Sequence, residues 1–375
     1  MFGFCNMIEG GRKKLLTQLL TSDYKYPGIT YTQSGNLTYF DSSGVLQTAA
    51  VDTMVLDYNP ATLALRGYPY WEARTNVVLW NRDLTNAAWT KTNTTAAKTA
   101  TGIDGTANSA STLTATGANG TCLQAITLGS SARFQTCYIK RRTGSGTINM
   151  TMDNGTTWTA VTVTASWTQV SIPTQTLANP TVGFRIVTSG DAVDIDYAQN
   201  ENGTFATAVI ATTTAAVTRA APSCACTGSN FSSWYNQTEG TIVVQAMPAD
   251  TSSNQARAFG ISDGTTNNFI DISRIGTSAQ IRAQVVAGGV GQFNNITDSW
   301  PISTLYKAAN AYKAANFAAA LNGGTVVTKA SGTIPTVDRM TIGSLNAGNY
   351  FNGWIQSLAN YGARVPDASV KALST

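Results

Sequence analysis

Few side chains in this sequence could do acid–base or nucleophilic chemistry, and most of them are carboxylates. None of the 375 residues is histidine, which removes the commonest general base and the imidazole of Ser-His and Cys-His nucleophile systems. Only four glutamates occur, Glu9, Glu72, Glu201 and Glu239, so an enzyme would have to be built from carboxylates, as glycosidases are. The best pair is Asp194 and Asp196, in Val193-Asp194-Ile195-Asp196-Tyr197. Strand alternation puts both on one face with backbones roughly 6.5–7 Å apart, close to the roughly 6.5–9.5 Å separation of an inverting glycosidase. Catalytic carboxylates normally flank a cleft from different elements, however, and two aspartates on the polar face of a strand are expected to be solvated. Calcium binding by the same pair is a further reading. No catalytic residue is assigned.

Candidate ligand-binding groups are aromatic or amide-bearing. Trp158, Trp167 and Trp300 offer apolar faces with a polar tip that suit sugar rings. Trp167 has the opposite strand parity to Val170 and Ile172, so it is predicted to face outward if those two are buried. Asp263, Asn267, Asn268 and Asp298 could supply oxygens, but they do not make a full ligand set, so no metal and no cofactor is expected. The cysteines, Cys5, Cys122, Cys137, Cys224 and Cys226, are odd in number and lack C-x-x-C spacing, which argues against structural zinc or a disulfide framework. Cys224 and Cys226 are expected to be small residues on one side of a strand.

The elements that must position these groups read as β-structure. Charged residues make up 12% of the chain, about half the usual share of roughly 25%, and Thr, Ala, Asn, Ser and Gly replace them. Thr suits a pleated surface, while Asn and Gly supply the positive φ of tight turns. The net charge of +4 is spread thinly. Its short clusters, Arg12-Lys13-Lys14 and Lys140-Arg141-Arg142, read as solvated loops, so nucleic acid is not an expected partner. No stretch approaches the roughly 20 apolar residues of a membrane span.

Residues 1–73 open with a predicted short helix, retained and not cleaved, whose Leu15, Leu16, Leu19 and Leu20 share a face by three-and-four spacing. Turn signals follow at Ser34-Gly35-Asn36, Asp41-Ser42-Ser43-Gly44 and Tyr58-Asn59-Pro60. So little apolar alternation predicts docking on a partner subunit or on the next domain. Val77-Val78-Leu79-Trp80 reads as a strand entering a core, closed by Trp89. Residues 74–212 then alternate at period two: Ile148, Met150 and Met152; Val161 and Val163; Val182, Phe184 and Ile186. That pattern predicts a sandwich with one buried and one polar face. Residues 213–222, ending at Pro222, read as an extended linker. Residues 223–375 give a second succession of short strands. In them the alanine-rich Ala308–Leu321 is read as a hairpin against its helix propensity, because Asn316 interrupts it and Asn322-Gly323 follows.

Two segments carry a resemblance. R-T-N-V-V-L-W-N-R-D-L-T-N-A-A-W-T from Arg74 to Thr90, with the Ile103-Asp104-Gly105-Thr106-Ala107 turn, resembles the sandwich domain of tailed-bacteriophage head-spike and tail-fibre proteins. Ala198, Gln199, Glu201, Gly203, Phe205, Ala206 and Thr207 are similarly placed at that module's end. Thr38 to Leu46 looks like the lead-in of such proteins, without the Arg-Ala expected just upstream. After residue 223 the strand order resembles a laminin-G or concanavalin-like jelly roll, supported by Leu321-Asn322-Gly323-Gly324, Met340-Thr341-Ile342-Gly343 and Phe351-Asn352-Gly353-Trp354-Ile355.

The resemblance implies an all-β virion structural protein, a fibre or spike assembled in the bacterial cytoplasm, not an enzyme and without membrane insertion. Its N-terminus, through Arg12, Lys13, Lys14, Leu15, Leu16, Leu19 and Leu20, would dock to other virion proteins. Its sandwiches would present a host-surface glycan site, and it would assemble as a homotrimer. A capsid decoration or cement protein and a polysaccharide depolymerase are the rival readings.

Overall fold

Backbone pairing joins the two ends of the chain and leaves the middle as a separate sandwich. The computed structural model describes residues 16–250, 255–276 and 278–375, without the side chains of residues 296–298. The architecture is all-β. Among the described residues the helices are two short ones, Gly228–Ser232 and Asp367–Leu373, and no helix is long and apolar enough to cross a membrane.

The expected N-terminal helix is a strand in the structure. Leu16–Thr21 pairs antiparallel with Gly353–Tyr361, Leu16 opposite Tyr361. A register shift between Gln18 and Leu20 breaks the alternation, and so both Leu19 and Leu20 are fully buried. The spacing of leucines that predicts a helix face fits a bulged strand equally well, and tertiary pairing decides between them. Leu19 and Leu20 are therefore core residues and cannot be docking groups. Arg12, Lys13, Lys14 and Leu15 lie outside the described residues.

Leu16–Thr21 belongs to a nine-stranded sheet that runs Tyr24–Lys25, Leu16–Thr21, Gly353–Tyr361, Glu239–Pro248, Tyr306–Lys313, Phe317–Leu321 and Val327–Lys329, with Leu65–Tyr70 also paired to Gly353–Tyr361 and to Asp57–Tyr58. Facing it, a seven-stranded sheet runs Val290–Ser299, Gln280–Ala287, Phe269–Ile275, Ala256–Ser262, Arg339–Ile342, Ser223–Thr227 and Thr30–Thr32. Between them lies one large apolar core that includes Leu20, Tyr31 and Tyr70 from the first 73 residues beside Ile242, Phe259 and Ile355. The early segment is thus part of this sandwich. A truncation at Arg74 would remove strands from both of its sheets. Ala308–Leu321 is the expected hairpin, and Asn322 and Gly323 adopt φ of 48° and 69°, the left-handed pair that a tight turn favours.

The chain leaves this sandwich through Arg74–Asn76 and returns through Val217–Arg219, and the two strands pair as a ribbon. The stretch read as a linker is therefore partly a strand, with Arg219 buried. Between them stands the second sandwich. One sheet runs Thr94–Ala100, Ala110–Ala115, Ala192–Asn202, Ser131–Thr143 and Thr168–Leu177; the other runs Thr159–Val161, Ile148–Thr151, Thr181–Ile186, Gly120–Ala125 and Thr90–Thr92. Its core holds Ile148, Met150, Met152, Val182, Phe184 and Ile186, with Val78, Leu84 and Trp89 closing one end.

Two expectations for this part need correction. Val77–Trp80 is not a strand, because the chain turns at Trp80 with φ 50°. The outer face of Ala192–Asn202 is not solvated either. The hairpin Thr38–Phe40 and Leu46–Thr48 covers it, and Phe40 and Leu46 pack on Tyr138 and Tyr197. Cys122, Cys137, Cys224 and Cys226 are buried free thiols. Burial pushes the Cys122 thiol up to about 12, so it stays protonated and behaves as a small apolar group.

Candidate functional site

Every charge on the covered outer face of the inserted sandwich is matched by a partner. Asp194 accepts hydrogen bonds from Arg142 Nε at 2.7 Å and Thr112 Oγ1 at 2.8 Å, with Lys140 Nζ at 3.6 Å. Asp196 accepts from Arg82 Nε at 2.7 Å, Arg82 Nη2 at 3.0 Å and Ile103 N at 3.0 Å. Burial nevertheless pushes the Asp196 carboxyl above its usual range, outweighing Arg82. The pair read from the sequence as solvated is buried and fully engaged, so it leaves no free carboxylate for an incoming sugar. The basic cluster is likewise not a solvated loop: Lys140 and Arg142 neutralise Asp194, and Arg141 Nη1 lies 3.4 Å from Asp191.

The aromatic and loop candidates scatter. Trp300 is fully buried and packs on Phe351 at 5.5 Å between ring centroids, which excludes it as a binding platform. Trp158 is half-buried beneath the Arg185 guanidinium at 4.6 Å. Trp167 is half-buried under Lys140 at 4.8 Å and packs against the covering hairpin cluster. Asp263 closes its own loop, accepting from Thr265 N at 2.9 Å and Asn268 Nδ2 at 2.9 Å. Slight burial pushes its carboxyl up, but the Thr265 and Asn268 bonds outweigh that and hold it below its usual range. Asn268 Oδ1 accepts from Gly288 N, and the Asn267 carbonyl from Gly289 N, so these residues brace a turn. The side chain of Asp298 lies outside the described residues. Among the described residues no three His, Cys, Asp or Glu side chains gather as a metal site would require.

The concave site lies elsewhere, at the seam where the two sandwiches and the covering hairpin meet. A cavity of about 340 Å³ opens there, walled by three distant parts of the chain: residues 38–71, residues 134–209 and residues 249–354. Its volume is within the range of small-ligand pockets. Tyr39 and Phe134 are the half-exposed rings of its wall, and Trp71 and Trp354 pack edge-to-face behind them at 5.0 Å.

The polar centre of the wall is Asp57, 6% exposed, set by the short strand Asp57–Tyr58 against Leu65–Tyr70. Its Oδ1 accepts from Phe40 N at 2.6 Å, and its Oδ2 from Trp354 Nε1 at 2.6 Å and Arg66 Nη1 at 3.5 Å. Asp57 thereby ties the hairpin, the Leu65–Tyr70 strand and the strand of Trp354 together at one point. Burial pushes its carboxyl above the usual range despite these donors.

A folded carboxyl raised above its unfolded value adds most stability when protonated and loses that contribution as pH rises through the folded value. The thermal midpoint of the wild type relative to Asp57→Asn is therefore expected to rise as pH falls from neutral toward about 4. Parallel midpoints across that window would show that Asp57 is not held in this raised state.

Sequence reasoning missed this site because no local pattern contains it. The available signals were the aromatic density of Tyr68-Pro69-Tyr70-Trp71 and the Phe205 of the module's closing motif.

No family model matches the chain, and no curated protein matches it. Among solved structures, the chain is similar to the CBM40 of a Ruminococcus gnavus IT-sialidase bound to alpha2,3 sialyllactose, with 14% identity and a TM-score of 0.32 over 37% of this chain and 84% of that one. It is also similar to domain 4 of a GH43 extracellular arabinanase from Geobacillus stearothermophilus in complex with arabinotriose, with 14% identity and a TM-score of 0.32 over 41% of this chain and 73% of that one. A Trypanosoma rangeli sialidase in complex with the inhibitor DANA matches with 10% identity and a TM-score of 0.33, over 41% of this chain and 26% of that one.

Proposed function

We propose that the protein is a non-enzymatic, glycan-binding component of a bacteriophage particle, a fibre or spike that presents the seam cavity to a surface saccharide. The observation that carries the binding reading is the cavity itself. It is concave, walled by aromatic rings with half-exposed faces at Tyr39 and Phe134, and has a small set of fixed polar groups around Asp57 and Arg66. Aromatic faces pack on the apolar faces of pyranose rings, while polar groups at the rim fix their orientation.

Binding without turnover is favoured over depolymerase action by the carboxylate count. Asp57 is the one carboxylate on this wall among the described residues, whereas glycoside hydrolysis uses two. The Asp194 and Asp196 pair is already neutralised by arginines. The virion setting and the trimeric state are supported by the motifs at Arg74–Thr90 and Ala198–Thr207.

The expected result for binding is that Tyr39→Ala and Phe134→Ala each weaken a saccharide detected on a glycan array by several-fold to about ten-fold, with the melting curve unchanged. Unaltered affinity in both variants would remove the cavity as the binding site. For the particle, removing residues 1–15 should abolish incorporation into virions while the sandwiches stay folded; incorporation of the shortened chain would overturn N-terminal attachment.

A further inference from the structure

Among the described residues the seam cavity has one cationic side chain on its wall, Arg66, and its unused N–H groups narrow the ligand. Asp57, its carboxylate, is engaged by Phe40 N, Trp354 Nε1 and Arg66 Nη1, so it has little acceptor capacity left for a saccharide hydroxyl. Arg66 is different. One of its nitrogens is given to Asp57, its guanidinium lies over the Trp354 ring at 4.9 Å, and it is 26% exposed on the cavity wall. Its remaining N–H groups have no partner among the described residues. Stacking on Trp354 and the Asp57 contact fix the plane of the fork in advance, which reduces the entropy lost when a ligand is received.

Two further hydroxyls belong to the same wall, and each can donate or accept. Thr204, on the cavity wall, has its Oγ1 buried without a hydrogen-bond partner. Tyr138, also on the wall and 6% exposed, has no hydrogen-bond partner for its hydroxyl among the described residues. Burial raises the Tyr138 hydroxyl well above its usual range, so it remains a donor at any working pH.

We infer that the seam cavity takes an anionic saccharide, whose carboxylate or sulfate oxygens are received by the free edge of the Arg66 guanidinium. A planar carboxylate matches that edge with two parallel hydrogen bonds, and a sulfate presents the same oxygen spacing. This inference rests on the cavity being the saccharide site. It adds the charge class of the sugar and the residue that reads it. A neutral sugar offers the fork only hydroxyl oxygens, weaker acceptors than a charged pair, so the selectivity arises from the charge-assisted, two-point contact.

The test uses the full chain and a panel of oligosaccharides in matched forms: hexuronate-containing, the same chains with the carboxyl groups reduced to alcohols, and neutral chains bearing sulfate. By titration calorimetry the acidic form is expected to bind about ten-fold or more tightly than its carboxyl-reduced counterpart. Arg66→Gln should bring the two forms to within about two-fold, and Arg66→Lys, with charge but no fork, should restore only part of the preference. Stronger binding of the hexuronate than the sulfated chain identifies a carboxylate ligand, and the reverse order a sulfate; either supports the inference. Equal binding of acidic, carboxyl-reduced and sulfated chains, with Tyr39→Ala still weakening all three, would overturn the anionic class and leave the saccharide site standing. Binding of no member of the panel by protein with a normal melting curve would overturn both.

Discussion

Replacing Glu201 by alanine is expected to cost about 3–5 kcal/mol of stability, the scale for removing one partner of a buried charge cluster. Glu201 is 1% exposed on the last strand of the inserted sandwich, and Arg219, also 1% exposed, comes from the returning strand of the ribbon. The Glu201 carboxylate accepts from Thr207 N at 2.9 Å and Thr207 Oγ1 at 2.8 Å. Arg219 and Arg74 provide the positive field around it, and burial still raises its carboxyl above the usual range. Burial in turn pulls the Arg219 guanidinium down to about 10.

Arg219 itself donates to backbone acceptors, Ala208 O at 2.7 Å and Glu72 O at 3.1 Å, and without the Glu201 carboxylate its charge is offset only by Glu72, which Arg74 already engages. Glu201→Gln retains an acceptor for Thr207 and isolates the charge, so most of the loss should persist. Equilibrium denaturation of both variants measures this. A loss below about 1 kcal/mol in both would mean that the cluster does not hold the ribbon in place.

The same geometry explains what the two motifs at the ends of the inserted module do. Asn76 Nδ2 donates to Ala198 O at 3.2 Å and Ile210 O at 3.0 Å, Asn81 Nδ2 donates to Ile210 O at 3.0 Å, and Gln199 Oε1 accepts from Ile210 N at 2.7 Å. Phe205 lies beneath the Arg74 guanidinium at 4.7 Å. Gly203, at φ 131°, lies where any side chain would run into that guanidinium. These residues lock the start of the module to its end. They mark a folding unit first, and of the motif residues only Phe205, Ala206 and Thr207, at its very end, reach the cavity wall.

What was legible in the sequence was local. Val182, Phe184 and Ile186 announced their strand by parity, and Asn322-Gly323 its turn, because each pattern is complete within a few residues. What was illegible came from contacts far along the chain. Gln18 Nε2 reaches Leu358 O, 340 residues away, and no pattern within Leu16–Thr21 reports that a sheet edge awaits it. Asp194 and Asp196 followed the alternation of a half-exposed strand. Their partners Thr112, Arg142 and Arg82 and the covering hairpin all lie outside it, and a bulge at Tyr197, φ 46°, turns that ring to the same face as Asp196. The cavity has the same origin, since its walls come from three segments and exist only after both sandwiches have formed.

Trp80 and Trp89 look equivalent in the sequence, two tryptophans bracketing one turn, and the structure separates them by energy. Trp89 is 2% exposed, stacks on Phe184 with ring centroids 6.1 Å apart, and donates Nε1 to Trp80 O at 3.3 Å. Trp89→Ala removes a fully packed ring at the end of the sandwich core, and a loss of about 3–5 kcal/mol is expected. Trp80 is half-buried at φ 50°, a left-handed conformation that costs a residue with a side chain about 1–2 kcal/mol. Trp80→Gly gives up partial packing but regains that strain, so its net cost should be less than half that of Trp89→Ala. Its backbone contacts, N to Thr213 O at 3.0 Å and O to Asp83 N at 2.9 Å, survive the change because they involve no side chain. Chemical unfolding of the two variants decides the matter. Equal losses would mean that the Trp80 ring carries core packing beyond its half-buried position, and the turn would then be held by its side chain instead of its backbone.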